Sequence, residues 1–340
     1  MISFRNDYSE TAHAAVLKAI SRLDGISSPG YSEDDYCRQA ADEIRSRFSC
    51  PHADVHFLVG GTIANTTVIA AFLRPWEAVI AASTAHINVH ETGAVESAGH
   101  KVIDVPTSDG KLTPDHIRQV MESHQDGNEE HMVLPRMVYI SNATELGTIY
   151  TREELEALRA VCDENGLYLY LDGARLAPAL AAAGNDLTAA DFPRLCDCFY
   201  IGGTKNGLLF GEAVVISNPS LQPYFRNMIK QRGGMLAKGF LFGVQFSAFL
   251  KDDLWMRLAE NSVRQAQKLS AGFLQKGYPL YAQSPTNQVF CILPDETIAR
   301  LQKDFTFEFT CRTDETHCAM RFVCSWATTD EDVSALLDAL

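Results

Sequence analysis

Two charged residues follow apolar segments at the places where an α/β enzyme carries its site. Asp172 comes directly after the apolar and aromatic run 167–171, and Lys205 lies in the glycine-rich turn 202–207. Ligands of open α/β sheets bind outside the carboxyl ends of the strands, and glycines let a ligand approach the backbone closely. We therefore interpret the acid and the amine as parts of one site, in preference to two solvated surface charges.

An acid and a lysine presented at strand ends are the pair that catalysis by pyridoxal 5'-phosphate (PLP) needs. The lysine joins the cofactor aldehyde as a Schiff base, and the acid pairs with the pyridinium nitrogen, so that the ring stays protonated as an electron sink. Asp172 and Lys205 therefore predict PLP as the cofactor.

The segments around this pair resemble the low-specificity L-threonine aldolase family, in the aromatic amino acid beta-eliminating lyase/threonine aldolase group of fold-type I PLP enzymes. The similar segments are LYLDGARL, which contains Asp172, and GGTKNGLLFG, which contains Lys205. The resemblance implies that Lys205 is the Schiff-base lysine and that Asp172 is the partner of the pyridinium nitrogen. It also implies that Arg175 lies beside the cofactor ring and that Thr204 is a further cofactor contact.

A glycine turn and a histidine complete the expected cofactor site. The turn GGTIAN precedes a predicted helix, where free backbone amides and the positive end of the helix dipole suit a phosphate. This segment resembles the family's SGTMAN, which implies Gly61 and Thr62 as phosphate contacts. The resemblance also aligns His86 with the histidine that stacks on the PLP ring.

His86 and His90 are four residues apart, with Glu91 adjacent, a spacing that would place both histidines on one face of a helix and could serve a metal site. No third ligand can be placed and the HExxH pattern is absent, so we predict no metal and interpret His90 as an ordinary surface histidine.

Substrate binding is predicted at two positions near the chain ends. Arg321 lies among apolar residues of a predicted strand, where an unpaired arginine is costly to bury, so it needs a carboxylate. The resemblance implies that this carboxylate is the α-carboxylate of an amino acid, held by a bidentate pair. It also places Asn6 where the family has a serine that touches the same carboxylate, and Asp7 matches the family.

Two departures from the family pattern concern a phosphate contact and the catalytic base. Relatives have an arginine that reaches the phosphate of a neighbouring subunit's cofactor; here Arg232 or Lys238 would replace it, unless both are ordinary surface cations. Many relatives also carry a histidine in a turn where this chain has residues 143–145, Ala-Thr-Glu. The base for the β-hydroxyl is then His86 or Glu145.

The composition indicates a partner of low molecular weight. The chain has 340 residues and a formal net charge of −14, and it contains no run of Lys or Arg. These features argue against nucleic acid and anionic membrane as partners and favour a small amino-acid substrate. Nine cysteines without a Cys-x-x-Cys pair, no signal-peptide pattern and no apolar stretch long enough for a membrane indicate the cytoplasm.

Alternating strand and helix patterns from about residue 54 to 217 predict an α/β fold with a parallel sheet, and the later residues predict a small α+β unit. We expect an N-terminal segment 1–48 packing on both domains, a PLP-binding domain 49–245 and a small domain 246–340. Ser32 is expected to begin a helix, as are Thr113 and Thr151, and Gly166 to end one. The stretch 125–131 is expected to be an exposed loop.

The family implies a homodimer or homotetramer with shared active sites.

We predict a carbon–carbon lyase that cleaves L-threonine, L-allo-threonine or another β-hydroxy-α-amino acid to glycine and an aldehyde. The alternatives on the same scaffold are a PLP-dependent β-eliminating lyase and an amino-acid racemase. A non-catalytic PLP-binding regulator is disfavoured because the lysine, the acid and the arginine are all kept. A nucleotide-binding Rossmann enzyme is disfavoured because no G-x-G-x-x-G turn follows the first strand.

Overall fold

The structure is a computed structural model that describes residues 1–124, 127 and 129–340. Three residues of the predicted loop 125–131, at positions 125, 126 and 128, lie outside the described residues.

The strands and helices alternate through most of the chain. The strands are β1 (Ile2–Ser3), β2 (Asp54–Leu58), β3 (Glu77–Ala82), β4 (Val102–Val105), β5 (Leu134–Ser141), β6 (Tyr168–Asp172), β7 (Cys198–Gly202), β8 (Glu212–Ile216), β9 (Leu280–Ala282), β10 (Gln288–Pro294), β11 (Phe305–Thr306), β12 (Glu308–Arg312) and β13 (His317–Val323). The helices are α1 (Ala14–Ser21), α2 (Asp35–Arg47), α3 (Gly61–Phe72), α4 (His86–Val89), α5 (Ala94–Ser97), α6 (Pro114–His124), α7 (Arg152–Asn165), α8 (Leu176–Ala181), α9 (Phe192–Leu195), α10 (Phe225–Gln231), α11 (Phe240–Leu250), α12 (Leu254–Gln275), α13 (Asp295–Leu301) and α14 (Asp330–Asp338).

The main sheet has the strand order β2-β8-β7-β6-β5-β3-β4. Strands β4, β3, β5, β6 and β7 pair in parallel, so their carboxyl ends meet at one edge. Every residue of β7 is buried, which explains why this strand reads as a continuous apolar run. The edge formed by β5, β6 and β7 carries the residues that follow Ser141, Asp172 and Gly202.

The expectation of a parallel sheet needs one correction. Strand β8 runs antiparallel to both of its neighbours, β7 and β2. The segment 203–211 turns back directly from β7 without a crossover helix, so β8 must run in the opposite direction. As a result, β8 begins, and does not end, at the edge where β6 and β7 end.

The predicted helix boundaries hold at α7 but not at α2. Thr151 and Glu154 form the expected capping box, and Gly166 ends α7 in the left-handed conformation. At α2 the cap is Asp34, whose side chain accepts from the backbone N–H of Cys37 at 2.9 Å. Ser32 has a φ of 62° and lies outside the helix, so the prediction that it begins the helix was wrong.

A second sheet, β12-β13-β10-β9, is antiparallel and packs on its own apolar core. Helix α12 links the two parts, because Ala259 belongs to the core of the main sheet and Ala266 to the second core. Phe4 packs in the second core, whereas Val16 packs in the first.

All nine cysteines are free thiols in this structure. Among the helices that the structure describes, none combines the length and the apolar character needed to cross a bilayer.

Candidate active site

A cavity of about 500 Å³ lies at the carboxyl ends of β6 and β7. It is bounded on one side by the strand ends and on the other by the second sheet. Among the residues that line it are Asp172, Lys205, Thr204, Arg175, His86 and Arg321. The structure therefore brings together the central residues of the predicted site.

Asp172 is held at the end of β6 by hydrogen bonds to both carboxylate oxygens. Tyr139 Oη donates to Oδ2 at 2.6 Å and Tyr200 Oη donates to Oδ1 at 2.5 Å. The backbone N–H of Ala174 and the amide of Asn65 add contacts at 2.9 and 3.1 Å. Burial disfavours the charged carboxylate, but these hydrogen bonds outweigh it and hold the pKa of Asp172 below its ordinary value. Asp172 is therefore a buried anion.

Lys205 lies in a short 3-10 turn directly after β7. Gly203 allows this turn because a Cβ there would lie 2.6 Å from the carbonyl oxygen of Gly211. Burial, and next the positive charge of Arg175, lower the pKa of the Lys205 amine. A lowered pKa increases the fraction of neutral amine, which is the form that attacks an aldehyde.

Glu212 is a buried acid of the site that the sequence analysis missed. It is the first residue of β8, lines the cavity, and its Oε2 accepts from the backbone N–H of Gly203 at 3.0 Å. Burial raises the pKa of Glu212 to about 7. The sequence signal was an acid directly before the apolar run 213–216, but its position at this edge depends on the reversed direction of β8.

His86 begins the short helix α4 and is oriented by a buried acid. Its Nδ1 lies 2.8 Å from Oε1 of Glu91, and the same oxygen accepts from the Asn65 amide at 2.7 Å. The carboxylate acts as the acceptor, so Nδ1 of a neutral ring carries the proton and Nε2 keeps its lone pair. Because Asn65 also contacts Asp172, a continuous hydrogen-bond chain joins His86 to the acid of β6.

His90 lines the cavity, with its ring centroid 5.6 Å from that of His86. His90 is exposed, in agreement with its interpretation as a surface histidine. Helix α4 has only four residues, so the helical pattern did not predict that this histidine also faces the cavity. Within the described residues, no group of three or more His, Cys, Asp or Glu side chains could hold a metal ion.

Glu145, the second candidate for the base, also lines the cavity. Its Oε1 accepts from Ser141 Oγ at 2.8 Å and from the backbone N–H of His86 at 3.0 Å. Burial raises the pKa of the Glu145 carboxyl. Glu145 thus keeps its proton to higher pH than an exposed glutamate does.

The Arg175 guanidinium forms a buried bidentate pair with Asp7. Nε and Nη2 donate to the carboxylate at 2.8 and 3.0 Å, and the amide of Asn287 donates to Oδ2 of Asp7 at 2.9 Å. Burial raises the pKa of Asp7, but the nearby cations Arg175 and Lys205 outweigh it and leave the pKa lowered. Both members of this pair are therefore charged.

Asn6 contacts its own turn. Its Oδ1 accepts from the backbone N–H of Tyr8 at 3.0 Å and from Ser9 Oγ at 2.8 Å. Tyr8, and not Asn6, is among the residues that line the cavity.

Arg321 reaches the cavity from β13 and already has a carboxylate partner within the chain. Its Nη2 donates to Glu308, and its Nη1 lies 3.5 Å from Oε1 of Gln288. The need for a carboxylate that the sequence indicated is thus met by a protein side chain. Glu308 was not anticipated because the register between β12 and β13 cannot be read from the sequence.

Gly61 and Thr62 form the start of α3 and line the same cavity as Lys205. The residue before them, Gly60, caps α3 without a side-chain hydrogen bond, so the first amides of the helix are free for an anion. Arg232 lies elsewhere, in an adjoining cavity of about 540 Å³ that shares the turn 60–62. Its Nη2 donates to the carbonyl of Ala98 at 3.2 Å, while Lys238 is exposed.

A larger groove of about 1260 Å³ lies between α1, α2 and α11. The predicted site residues are not among those that line it, and the buried charges described above converge on the smaller cavity. We therefore assign the chemistry to the smaller cavity.

Comparison with known proteins identifies close relatives. A family model described as "Beta-eliminating lyase" matches residues 14–296. The low specificity L-threonine aldolase of Pseudomonas aeruginosa is 34% identical over 313 residues, which cover 90% of this chain and 87% of that protein. The corresponding protein of Saccharomyces cerevisiae is 29% identical, covering 84% of this chain and 72% of the relative.

Solved structures agree with these relatives. A structure described as Leishmania major threonine aldolase superposes with a TM-score of 0.97 at 46% identity, covering 99% of this chain and 98% of that one. An aspartate aminotransferase of Thermus thermophilus has a TM-score of 0.74 at 16% identity, with 100% and 90% coverage, and this likeness shows the fold alone.

The residues present fit PLP, the cofactor of this family. The buried anion Asp172 suits the pyridinium nitrogen, the amine of Lys205 suits the aldehyde, and the free amides at Gly61 suit the phosphate. The fold is that of the fold-type I PLP enzymes. From the family model and the Pseudomonas relative together, the chain belongs to the beta-eliminating lyase family.

Proposed function

We propose that the protein is a PLP-dependent carbon–carbon lyase that cleaves L-threonine, L-allo-threonine or another β-hydroxy-α-amino acid to glycine and an aldehyde. The observation that carries the proposal is the single cavity that holds Lys205 together with the hydrogen-bonded anion Asp172. It is supported by the names of the relatives, which are threonine aldolases in Pseudomonas and Leishmania.

The proposed roles follow from the position of each side chain. PLP, when bound, supplies an electron sink for the pair of electrons released by the broken Cα–Cβ bond. Lys205 holds the cofactor, and the negative charge of Asp172 keeps the pyridinium nitrogen protonated. Gly61 and Thr62 hold the phosphate, and Thr204 is a further contact of the cofactor.

One cationic side chain is proposed to orient the substrate, and a second to lie beside the cofactor. Arg321 binds the α-carboxylate, with Asn6 as the further contact that the resemblance implies. Arg175, fixed by Asp7, lies beside the cofactor ring. A bound carboxylate places the scissile bond in one orientation, which lowers the entropic part of the barrier.

We propose His86 as the base that takes the proton of the β-hydroxyl. Glu91 fixes Nδ1 and leaves the lone pair of Nε2 available. Glu145 is the weaker candidate because its raised pKa favours the protonated form, which cannot accept a proton.

The proposal extends to the assembly and the location of the protein. We propose a homodimer or homotetramer in which Arg232 reaches the phosphate bound by a neighbouring subunit, and a cytoplasmic location. The division into a segment 1–48, a PLP-binding domain 49–245 and a small domain 246–340 also stays a proposal. The two apolar cores support a two-domain division, although α12 contributes to both.

The test is aldehyde release from L-threonine and L-allo-threonine by the PLP-loaded protein, followed as NADH oxidation with a coupled alcohol dehydrogenase. We expect acetaldehyde from the wild type and from Lys276→Ala, an exposed lysine that serves as the matched control, and none from Lys205→Ala. Cofactor binding without aldehyde release would contradict the aldolase proposal.

The second candidate is β-elimination or racemisation in the same cavity. The turn 143–145 lacks the histidine that the resemblance leads us to expect there, and the matching family model is described as a beta-eliminating lyase. Release of pyruvate and ammonia from L-serine would favour the lyase, and loss of optical activity without cleavage would favour the racemase.

A further inference from the structure

The two arginines that line the cavity are both paired with carboxylates, but the pairs differ in exposure. The side chains of Arg175 and Asp7 are 10% and 1% exposed, whereas those of Arg321 and Glu308 are 21% and 31% exposed. Asp7 has a further hydrogen bond from Asn287, which fixes it in place. The Arg321 pair is therefore the one whose partner can exchange with a ligand from the cavity.

Glu308 also has a second cation within reach. Its Oε1 lies 3.6 Å from Nε of Arg5, a side chain that is 65% exposed at the protein surface. Glu308 and Arg321 are directly opposite each other in the antiparallel pair of β12 and β13, so the sheet register delivers this carboxylate to the arginine. Glu308 thus bridges a cation in the cavity and a cation in solvent.

We propose that Glu308 occupies the carboxylate position on Arg321 in the ligand-free protein and that the α-carboxylate of an amino acid displaces it toward Arg5. This inference rests on the proposed function, because it deepens the role given there to Arg321. Glu308 is then an intramolecular competitor that lowers the affinity of the substrate site for carboxylate ligands.

The consequence is a lower affinity of the site for every carboxylate, by the same factor. Glu308 is part of the chain, so it competes for Arg321 without the loss of translational freedom that a free ligand suffers. Acetate or a similar anion can only replace the carboxylate of Glu308 on Arg321 with its own carboxylate. An α-amino acid also brings its amino group to the cofactor, which supplies the additional binding free energy needed to displace Glu308.

The test compares Glu308→Gln with the wild type in calorimetric binding to the PLP-loaded protein, using glycine, acetate and methylamine. Because the same competitor is removed for every carboxylate, glycine and acetate should both bind tighter, by about fivefold, the strength expected for a partly exposed ion pair. Methylamine, which lacks a carboxylate, should bind with unchanged affinity. Glu315→Gln, an exposed change of the same charge on the turn between β12 and β13, should leave all three affinities unchanged.

Glu308→Ala is the second variant, and it should shift the binding of glycine and acetate in the same direction. Unchanged or weaker binding of glycine and acetate in both variants would overturn the inference, as would a failure of glycine to bind the wild type. These outcomes are distinct from failure of the proposed function, which shows itself as bound glycine in a protein that releases no aldehyde.

Discussion

The cavity has two walls that differ in burial and in how firmly their charges are held. The wall at the ends of β6 and β7 presents Asp172, with hydrogen bonds to both oxygens, and the buried Lys205. The wall from the second sheet presents Arg321 and Glu308, which are both partly exposed. The first wall fixes its charges through burial and hydrogen bonds, and the second leaves them able to exchange partners.

This difference matches the two tasks of such a site. A group that must keep one charge state is placed in a buried hydrogen-bonded position, where its pKa is set by its neighbours. A group that must accept and release a ligand is placed where water and a second ion can replace the ligand.

The largest effect is expected at the lysine of the buried wall. Lys205→Ala removes both the attachment of the cofactor and a group able to move protons, so turnover should fall by at least about 10³-fold. The visible absorption of protein-bound PLP should be lost as well. Steady-state kinetics and absorption spectra of the variant check both outcomes, with Lys276→Ala as the control.

The next largest effect is expected on stability, where Asp7, the partner of Arg175, should contribute more than Glu308, the partner of Arg321. Asp7→Ala leaves Arg175 charged and buried without its partner, which should lower the free energy of unfolding by about 3–5 kcal/mol. Glu308→Ala removes a partly exposed partner and should cost about 1 kcal/mol or less. Urea unfolding of the cofactor-free proteins measures both values, and equal losses would contradict the division between the walls.

Replacing the anion of the buried wall should slow the reaction without removing the cofactor. Asp172→Asn keeps the size of the side chain but removes the charge that stabilises the protonated pyridinium, so turnover should fall by about 10²-fold. The cofactor content, measured after alkaline release of PLP, should stay near that of the wild type. Unchanged turnover would remove Asp172 from its proposed role.

The smallest effect is expected at Glu212. The raised pKa of about 7 means that this acid is protonated below neutral pH and ionised above it, next to Lys205. Between pH 6 and 8 the added negative charge should change the absorption of bound PLP in the wild type, and Glu212→Gln should abolish that part of the change. Turnover should stay within about tenfold of the wild type. An identical pH profile of the two proteins would contradict the proximity of Glu212 to the cofactor.

The stability of the wild type and of Glu212→Gln should also depend differently on pH. An acid whose pKa is raised by folding disfavours the folded state once the unfolded chain ionises, so Glu212 lowers stability progressively from about pH 4.5 to pH 7. Glu212→Gln should therefore gain stability relative to the wild type as the pH rises through this window.

The sequence predicted the parts of the site that depend on local pattern. An acid after a buried strand, a lysine in a glycine turn and a helix that starts at Gly61 are all visible over a few residues, and all three line the cavity. The capping box at Thr151 was predicted for the same reason.

The residues that were missed depend on contacts between distant segments. Glu212 reaches the site because β8 reverses direction, and Glu308 faces Arg321 because of one particular strand register. Glu91 lies just after the four-residue helix α4 and contacts His86 at its start. A helix this short shows no periodic pattern from which the contact could be predicted. These contacts are set by tertiary structure, which a single sequence does not display.

The central claim is that Lys205 is the lysine that carries the cofactor. The most direct measurement is borohydride reduction of the PLP-loaded protein, followed by proteolysis and mass spectrometry to locate the phosphopyridoxyl group. We expect this group on Lys205, and we expect its loss from that peptide when the protein is first incubated with glycine, which displaces the lysine. A label on another lysine, or no covalent label in a protein that binds PLP, would contradict the assignment of Lys205.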